Sequence, residues 1–323
     1  MSDPDDLKIS GATMLNETTP DFAALKARMK ATWMAGDFGQ VAKYSEHEAV
    51  KFINRQNIKP GMRVLDVACG TGNLAIPAAK AGAMVTGVDI ASNLIEQARE
   101  RAKREGVKIQ FDEGDAEELP YSDASFDVVV SMFGAMFAPR PDRAAAELVR
   151  VCRLGGQIAL ANWTPDGFIG QIFKTTSKHL PPPPPDAPVP PVLWGDEATV
   201  HERFRGGVSK LVLTPVMAQL RYPFSVPGTV EFFRTYYGPT LKAFAALPQD
   251  KQPVLRRDLE NVFGQYNKSN IPFKFSRWRL IASLMRSVCN DARPSHHPTF
   301  IRGNADYQLI IHSDASAFSG IPE

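Results

Sequence analysis

Two carboxylates and a glycine turn stand at a spacing that can bind a nucleoside. In Val64-Leu65-Asp66-Val67-Ala68-Cys69-Gly70-Thr71-Gly72-Asn73-Leu74-Ala75 an apolar run of strand character enters a Gly-x-Gly turn and leaves it as a helix. Glycines at 70 and 72 let the backbone turn sharply and come close to a ligand, while the helix N-terminus offers free N–H groups. Asp89 closes the next apolar run, Val85-Thr86-Gly87-Val88-Asp89, where a carboxylate can accept from both hydroxyls of a ribose. Loop and acid together predict a nucleoside cofactor.

Gly70-x-Gly72-x-x-Ala75 also satisfies the dinucleotide fingerprint in its Ala-ending form, so an NAD-dependent oxidoreductase is a competing reading. The sign of the local charge separates the two. Residues 64–79 contain no Lys or Arg, and Asp66 stands just ahead of the turn. A carboxylate is unfavourable beside pyrophosphate and favourable beside an ammonium or sulfonium, by about 4 kcal/mol at 4 Å for an effective dielectric near 20. The loop favours a cationic ligand. Asp66 is expected to hold that cation, to accept from loop amides, or to do both.

These residues need a scaffold, and the apolar patterning supplies one. Short apolar runs at 63–67, 84–88, 107–111, 126–132 and 157–161 alternate with amphipathic stretches at 74–81, 92–104 and 143–151. This alternation predicts βαβ units and a parallel sheet with right-handed crossovers and helices on both faces. Gly82, Gly106 and the pair Gly155-Gly156 are expected to close the three helices. Ahead of the sheet, Thr19 and Pro20 open a helix carrying Phe22, Leu25, Met29 and Trp33 on one face, and a second helix is expected over 40–55. Beyond it, 167–179 reads as a helix. Residues 181–191 hold eight of the 26 prolines and predict a stiff extended connector, with a docking peptide for a partner as the alternative. Residues 208–224 alternate as a strand, 229–267 carry two helical stretches, and 271–282 predicts one more strand.

Five ordered motifs carry a resemblance: Asp66 to Gly72, Asp89, Gly114-Asp115-Ala116 with Leu119-Pro120, Phe126-Asp127-Val128-Val129, and Arg153-Leu154-Gly155-Gly156. Over about residues 59–161 the chain resembles the class I S-adenosylmethionine-dependent methyltransferases, most of all the branch shared with ubiquinone and menaquinone C-methyltransferases. The resemblance fades after about Asn267. It implies a Rossmann-like, doubly wound, mostly parallel seven-stranded α/β sheet with a helical and aromatic lid, and S-adenosyl-L-methionine as cofactor. It further implies that Gly70, Thr71 and Gly72 bound the loop under the methionine part, Asp66 holds its amino group and Asp89 the ribose. Asp115 would accept from the adenine amino group, Ala116 would donate its amide to the ring, Ile90 would pack on the adenine, and Ser131, Met132 and Phe133 would floor the pocket. Phe38 and Tyr44 would cover the cofactor.

Methyl transfer from a sulfonium needs alignment more than a catalytic triad, and a base only where the acceptor must lose a proton. His47, His179 and His201 are the candidates, and none is assigned. The histidines lack an i, i+4 ligand pair, so no metal is expected. Cys69 lies inside the turn and reads as a small packing residue rather than a nucleophile. An aromatic-rich lining from the N-terminal helices, 162–204 and 232–244 suits a small apolar or planar acceptor.

The composition is compatible with this. Among 323 residues, 37 Lys+Arg oppose 35 Asp+Glu for a net charge of +2, without the basic excess of a nucleic-acid binder. Three dispersed cysteines and an acidic N-terminus predict a reducing, cytoplasmic setting, and no apolar run reaches the roughly 18 residues of a membrane span. The expected organisation is 1–58 tail and cap helices, 59–163 cofactor-binding core, 164–283 acceptor-pocket and lid elaboration with the remaining strands, and 284–323 an unplaced tail. A non-catalytic binder that keeps the fold is the third reading.

Overall fold

The computed structural model describes residues 21–184 and 187–267, together with the backbone of a strand at Lys274–Met285. The expected cap at Thr19 and Pro20, and the tail beyond Met285, lie outside the described residues. Among the described residues three helices precede the sheet: α1 (Phe22–Trp33), α2 (Phe38–Ala42) and α3 (Glu46–Asn54). Asp21 caps α1, its carboxylate accepting from the Ala24 amide at 3.0 Å. The single helix expected over 40–55 is broken by a 3-10 turn, Lys43–Ser45. The Ala42 carbonyl accepts instead from the Ser45 hydroxyl at 2.9 Å and the Asn73 amide at 3.0 Å, so side chains enter the helical ladder there.

The alternating core follows as β1 (Arg63–Val67), α4 (Ala75–Lys80), β2 (Met84–Asp89), α5 (Ser92–Arg104), β3 (Gln110–Glu113), β4 (Phe126–Met132), α6 (Pro141–Val151) and β5 (Cys152–Trp163). Val64, Leu65 and Val67 of β1 and Val128, Val129 and Val130 of β4 are buried, as strands covered on both faces require. After β5 come α7 (Phe168–Ser177), α8 (Glu197–Arg203), β6 (Lys210–Arg221), α9 (Val226–Tyr236), α10 (Gly238–Ala245), α11 (Gln252–Tyr266) and β7 (Lys274–Met285). The strands form one seven-stranded sheet in the order β3-β2-β1-β4-β5-β7-β6. β1 to β5 pair in parallel, while β7 runs antiparallel to both β5 and β6. Strand order reverses at β1, which lies between β2 and β4, and ligands bind outside the carboxyl ends of the strands at such a reversal.

Three local expectations are corrected. β3 lies at 110–113 rather than 107–111, because the Val107 amide still bonds back to Ala102 at 3.1 Å at the exit of α5. Gly155 and Gly156 do not close α6; the chain enters β5 at Cys152, and Gly155 (φ 69°) lies inside that strand. The stretch 229–267 holds three helices, not two. α9 and α10 separate at Gly238, where a Cβ would lie 2.1 Å from the Thr32 carbonyl oxygen of α1.

Candidate active site

β1 delivers Asp66 to the carboxyl edge of the sheet, and the chain then turns through Ala68 (φ 54°), Gly70 (φ 53°) and Gly72 (φ 80°). Left-handed backbone at Gly70 and Gly72 is what the two glycines permit. A Cβ at Gly70 would meet only the Phe38 ring, at 3.9 Å, so the loop faces a cleft. The Cys69 amide donates to Val88 at 3.0 Å and ties the turn to β2.

Asp89 bridges two backbone segments. One carboxylate oxygen accepts from the Gly70 amide at 2.8 Å, the other from the Ala91 amide at 2.9 Å. Asp66 accepts from the Ala75 amide at 3.0 Å, at the start of α4. Both acids are nearly enclosed, at 1% and 7% exposure. Burial pushes the Asp66 carboxyl well above its usual range, with the charge of Asp89 adding to the shift; burial also raises Asp89, against the opposing effect of its amide bonds. No Lys or Arg pairs with either acid among the described residues.

The next acidic pair is neutralised. Asp115 accepts from the Glu117 amide at 2.9 Å and pairs with Lys26 of α1. Glu117 is fully buried and takes Lys26 at 2.9 Å and Arg140 at 2.7 Å. The uncompensated negative charge of the cleft therefore sits at Asp66 and Asp89, where a cationic ligand is favoured.

The cleft is lined by Asp66, Gly70, Thr71, Asp89, Ile90, Asp115, Ala116, Met132 and Phe133 from the expected set. Two members sit elsewhere. Ser131 is buried beneath the floor, its hydroxyl donating to the Val67 carbonyl at 2.7 Å and accepting from the Ala135 amide at 3.0 Å. Gly72 packs against Phe111 and Ile76 at the back of the turn. Phe38 lines the cleft, whereas Tyr44 packs away from it on Tyr222, with ring centroids 4.6 Å apart. Phe133 holds a left-handed backbone (φ 59°), and its ring stacks on Trp163 at 3.7 Å. Residues not expected at the donor cleft include Phe137 after β4 and, from the helix expected to line the acceptor pocket, Met29 and Trp33 of α1.

Cys69 lines the cleft as a buried thiol, pushed up by burial and by the nearby Asp66 and Asp89, and so is no nucleophile. His47 lies against Glu48 and His179 against Asp258, each at 3.0 Å, and among the described residues no histidine lines the cleft. Among the described residues no group of three or more His, Cys, Asp or Glu could hold a metal, and no helix is long and apolar enough to cross a membrane.

Residues 64–156 match the methyltransferase domain family. The solved structure of the YcgJ protein from Bacillus subtilis, 20% identical, superposes with a TM-score of 0.53 over 75% of this chain and 100% of that one, a likeness of fold. With the strand order and the cleft above, the chain belongs to the class I S-adenosylmethionine-dependent methyltransferases, and S-adenosylmethionine is its methyl donor. Within that class it is similar to an uncharacterised protein of Mycobacterium tuberculosis, 36% identical over 245 residues that cover 75% of this chain and 89% of its relative. It is also similar to methyltransferase GfsG of Streptomyces halstedii, 35% identical over 135 residues, 41% of this chain and 49% of that protein. The dinucleotide reading of the glycine turn is thereby replaced.

Proposed function

We propose that the enzyme transfers a methyl group in line from S-adenosylmethionine to a small apolar or aromatic molecule, not to a nucleic acid. The observation that carries this is the juxtaposition of two buried, cation-free carboxylates, Asp66 and Asp89, with an apolar wall of Met29, Trp33, Phe38 and Phe137. In this reading the turn at Gly70 and Thr71 lies under the methionine part, with Gly72 shaping it from behind. Asp66 attracts the ammonium, Asp89 takes the ribose hydroxyls, and Asp115 accepts from the adenine amino group, with the Ala116 amide donating to the ring. Ile90 packs on the adenine; Met132 and Phe133 form the floor and Ser131 braces it. The motif order is that of the ubiquinone and menaquinone C-methyltransferase branch, and the helices and aromatic rings after 164 serve as lid.

The bound donor supplies a methyl carbon already activated by a sulfonium, so the carbon–sulfur bond breaks as the bond to the acceptor's nucleophile forms and its electron pair stays on sulfur. The chain's own residues align the partners and exclude water, which can lower the barrier by roughly 7–11 kcal/mol. The free, buried thiol of Cys69 accords with a reducing cytoplasmic setting.

Two measurements test this. Calorimetry should show S-adenosylhomocysteine binding, and an absence of heat at millimolar ligand would remove the assignment of the cleft. Purified protein, incubated with isotope-labelled S-adenosylmethionine and a metabolite extract, should yield a labelled small molecule by mass spectrometry; label confined to added nucleic acid would overturn the acceptor class.

A further inference from the structure

A second cavity of about 310 Å³ opens beside the donor cleft. Met29, Trp33 and Phe137 line both, so the two spaces share a wall. The remaining boundary comes from parts of the chain far apart in sequence, among them Phe173 of α7, Pro190 and Pro191 at the end of the proline connector, and Pro239 of α10. Among the described residues no lining side chain is titratable. Its one side-chain hydroxyl, that of Thr32, is already engaged, donating to the Arg28 carbonyl at 2.8 Å.

We infer that this cavity seats the methyl acceptor, that the acceptor is uncharged over the part it buries there, and that the proline connector is a specificity wall. The inference rests on the methyltransferase reading of the adjoining cleft and adds to it the seat and charge of the acceptor. Continuity with the donor cleft identifies the occupant, since a molecule lying against Trp33 and Phe137 reaches the donor across residues common to both spaces. The chemistry of the lining sets the charge. A carboxylate, sulfonate or ammonium buried here would lose its water and gain no partner, whereas an alkyl or aromatic surface loses nothing. Rigidity sets selectivity: the prolines have fixed φ, and Trp33 and Phe137 hold each other edge to face at 4.8 Å, so the slot is formed before the acceptor arrives. The end of the proline run, with Pro190 exposed and Pro191 half-buried, thus borders the cavity as a wall.

The test uses the full chain saturated with S-adenosylhomocysteine and two probes that share a naphthalene ring and differ in charge, 2-naphthol and naphthalene-2-sulfonate, measured by calorimetry. Neutral 2-naphthol should bind at least tenfold more tightly than the sulfonate. Phe173→Asp, and Thr32→Glu at a half-exposed position that a fold tolerates more readily, should each weaken 2-naphthol binding fivefold or more while leaving the S-adenosylhomocysteine affinity within twofold. Equal binding of the two probes, no binding of 2-naphthol, or variants that bind it as the parent does would overturn the inference. A failure of S-adenosylhomocysteine to bind the parent protein is a separate result, and strikes the donor cleft instead.

Discussion

Asp66 and Asp89 are the residues at which electrostatics and recognition meet. Each is enclosed, held by backbone amides and without a cation among the described residues, and burial raises each carboxyl above its usual range. An acid whose pKa is higher in the folded than in the unfolded chain stabilises the fold at low pH and gives up that contribution as the pH climbs through the raised value. The ligand-free enzyme should therefore lose stability from these two groups as pH rises above about 4, the ordinary carboxyl value. A cationic donor favours the ionised forms, so the rise in melting temperature given by S-adenosylmethionine should be larger at pH 7.5 than at pH 5. Equal rises at both values would mean that neither acid faces the cation. Asp89→Ala removes a charged hydrogen-bonding group and should weaken S-adenosylhomocysteine by about 1.5–3 kcal/mol, roughly 10- to 150-fold, by calorimetry. An unchanged affinity would place the ribose elsewhere.

At the scale of elements, α1 is the helix that joins donor cleft to acceptor cavity. It contributes Met29 and Trp33 to both, and is latched through Lys26 to Asp115 and Glu117 and through Lys30 to Glu113. Lys26→Met keeps the aliphatic stem and deletes the charge, leaving the buried Glu117 with Arg140 alone. Hydrogen exchange of the α1 amides should accelerate in that variant, whereas the amides of β1 and β4 should not change. α1 also meets α10, backbone against backbone, at Gly238. An added methyl group there cannot fit 2.1 Å from the Thr32 carbonyl oxygen. Gly238→Ala should lower stability by about 1–3 kcal/mol, read from urea unfolding, as the two helices are forced apart. A neutral substitution would show that α10 can shift without loss.

For the whole molecule, the decisive feature is that β7 lies between β5 and β6, so β6 joins the sheet only through it. Ending the chain after Asn267 would strip both neighbours of their partner and expose two strand edges. Such a truncation should aggregate or lose its cooperative thermal transition; a soluble, cooperatively melting product that still binds S-adenosylhomocysteine would show the first five strands to be self-sufficient. Much of this architecture is legible along the chain. β1, α5 and β4 fall at 63–67, 92–104 and 126–132 as their apolar runs and periodicity predict, and the acids Asp66, Asp89 and Asp115 meet at one cleft because each stands at or just past the carboxyl end of a strand, and those ends lie on the same edge. The spacing of residues within a βαβ unit encodes geometry that is local, and sequence by itself determined that much. Tertiary packing alone decided the rest: the break of the helix at Ala42 by the Asn73 side chain, the burial of Glu117 between Lys26 and Arg140, and a cavity assembled from α1, Phe137, Phe173, Pro191 and Pro239. Those contacts join residues tens to hundreds of positions apart, and no periodicity in the chain records which surfaces will face each other once the layers close.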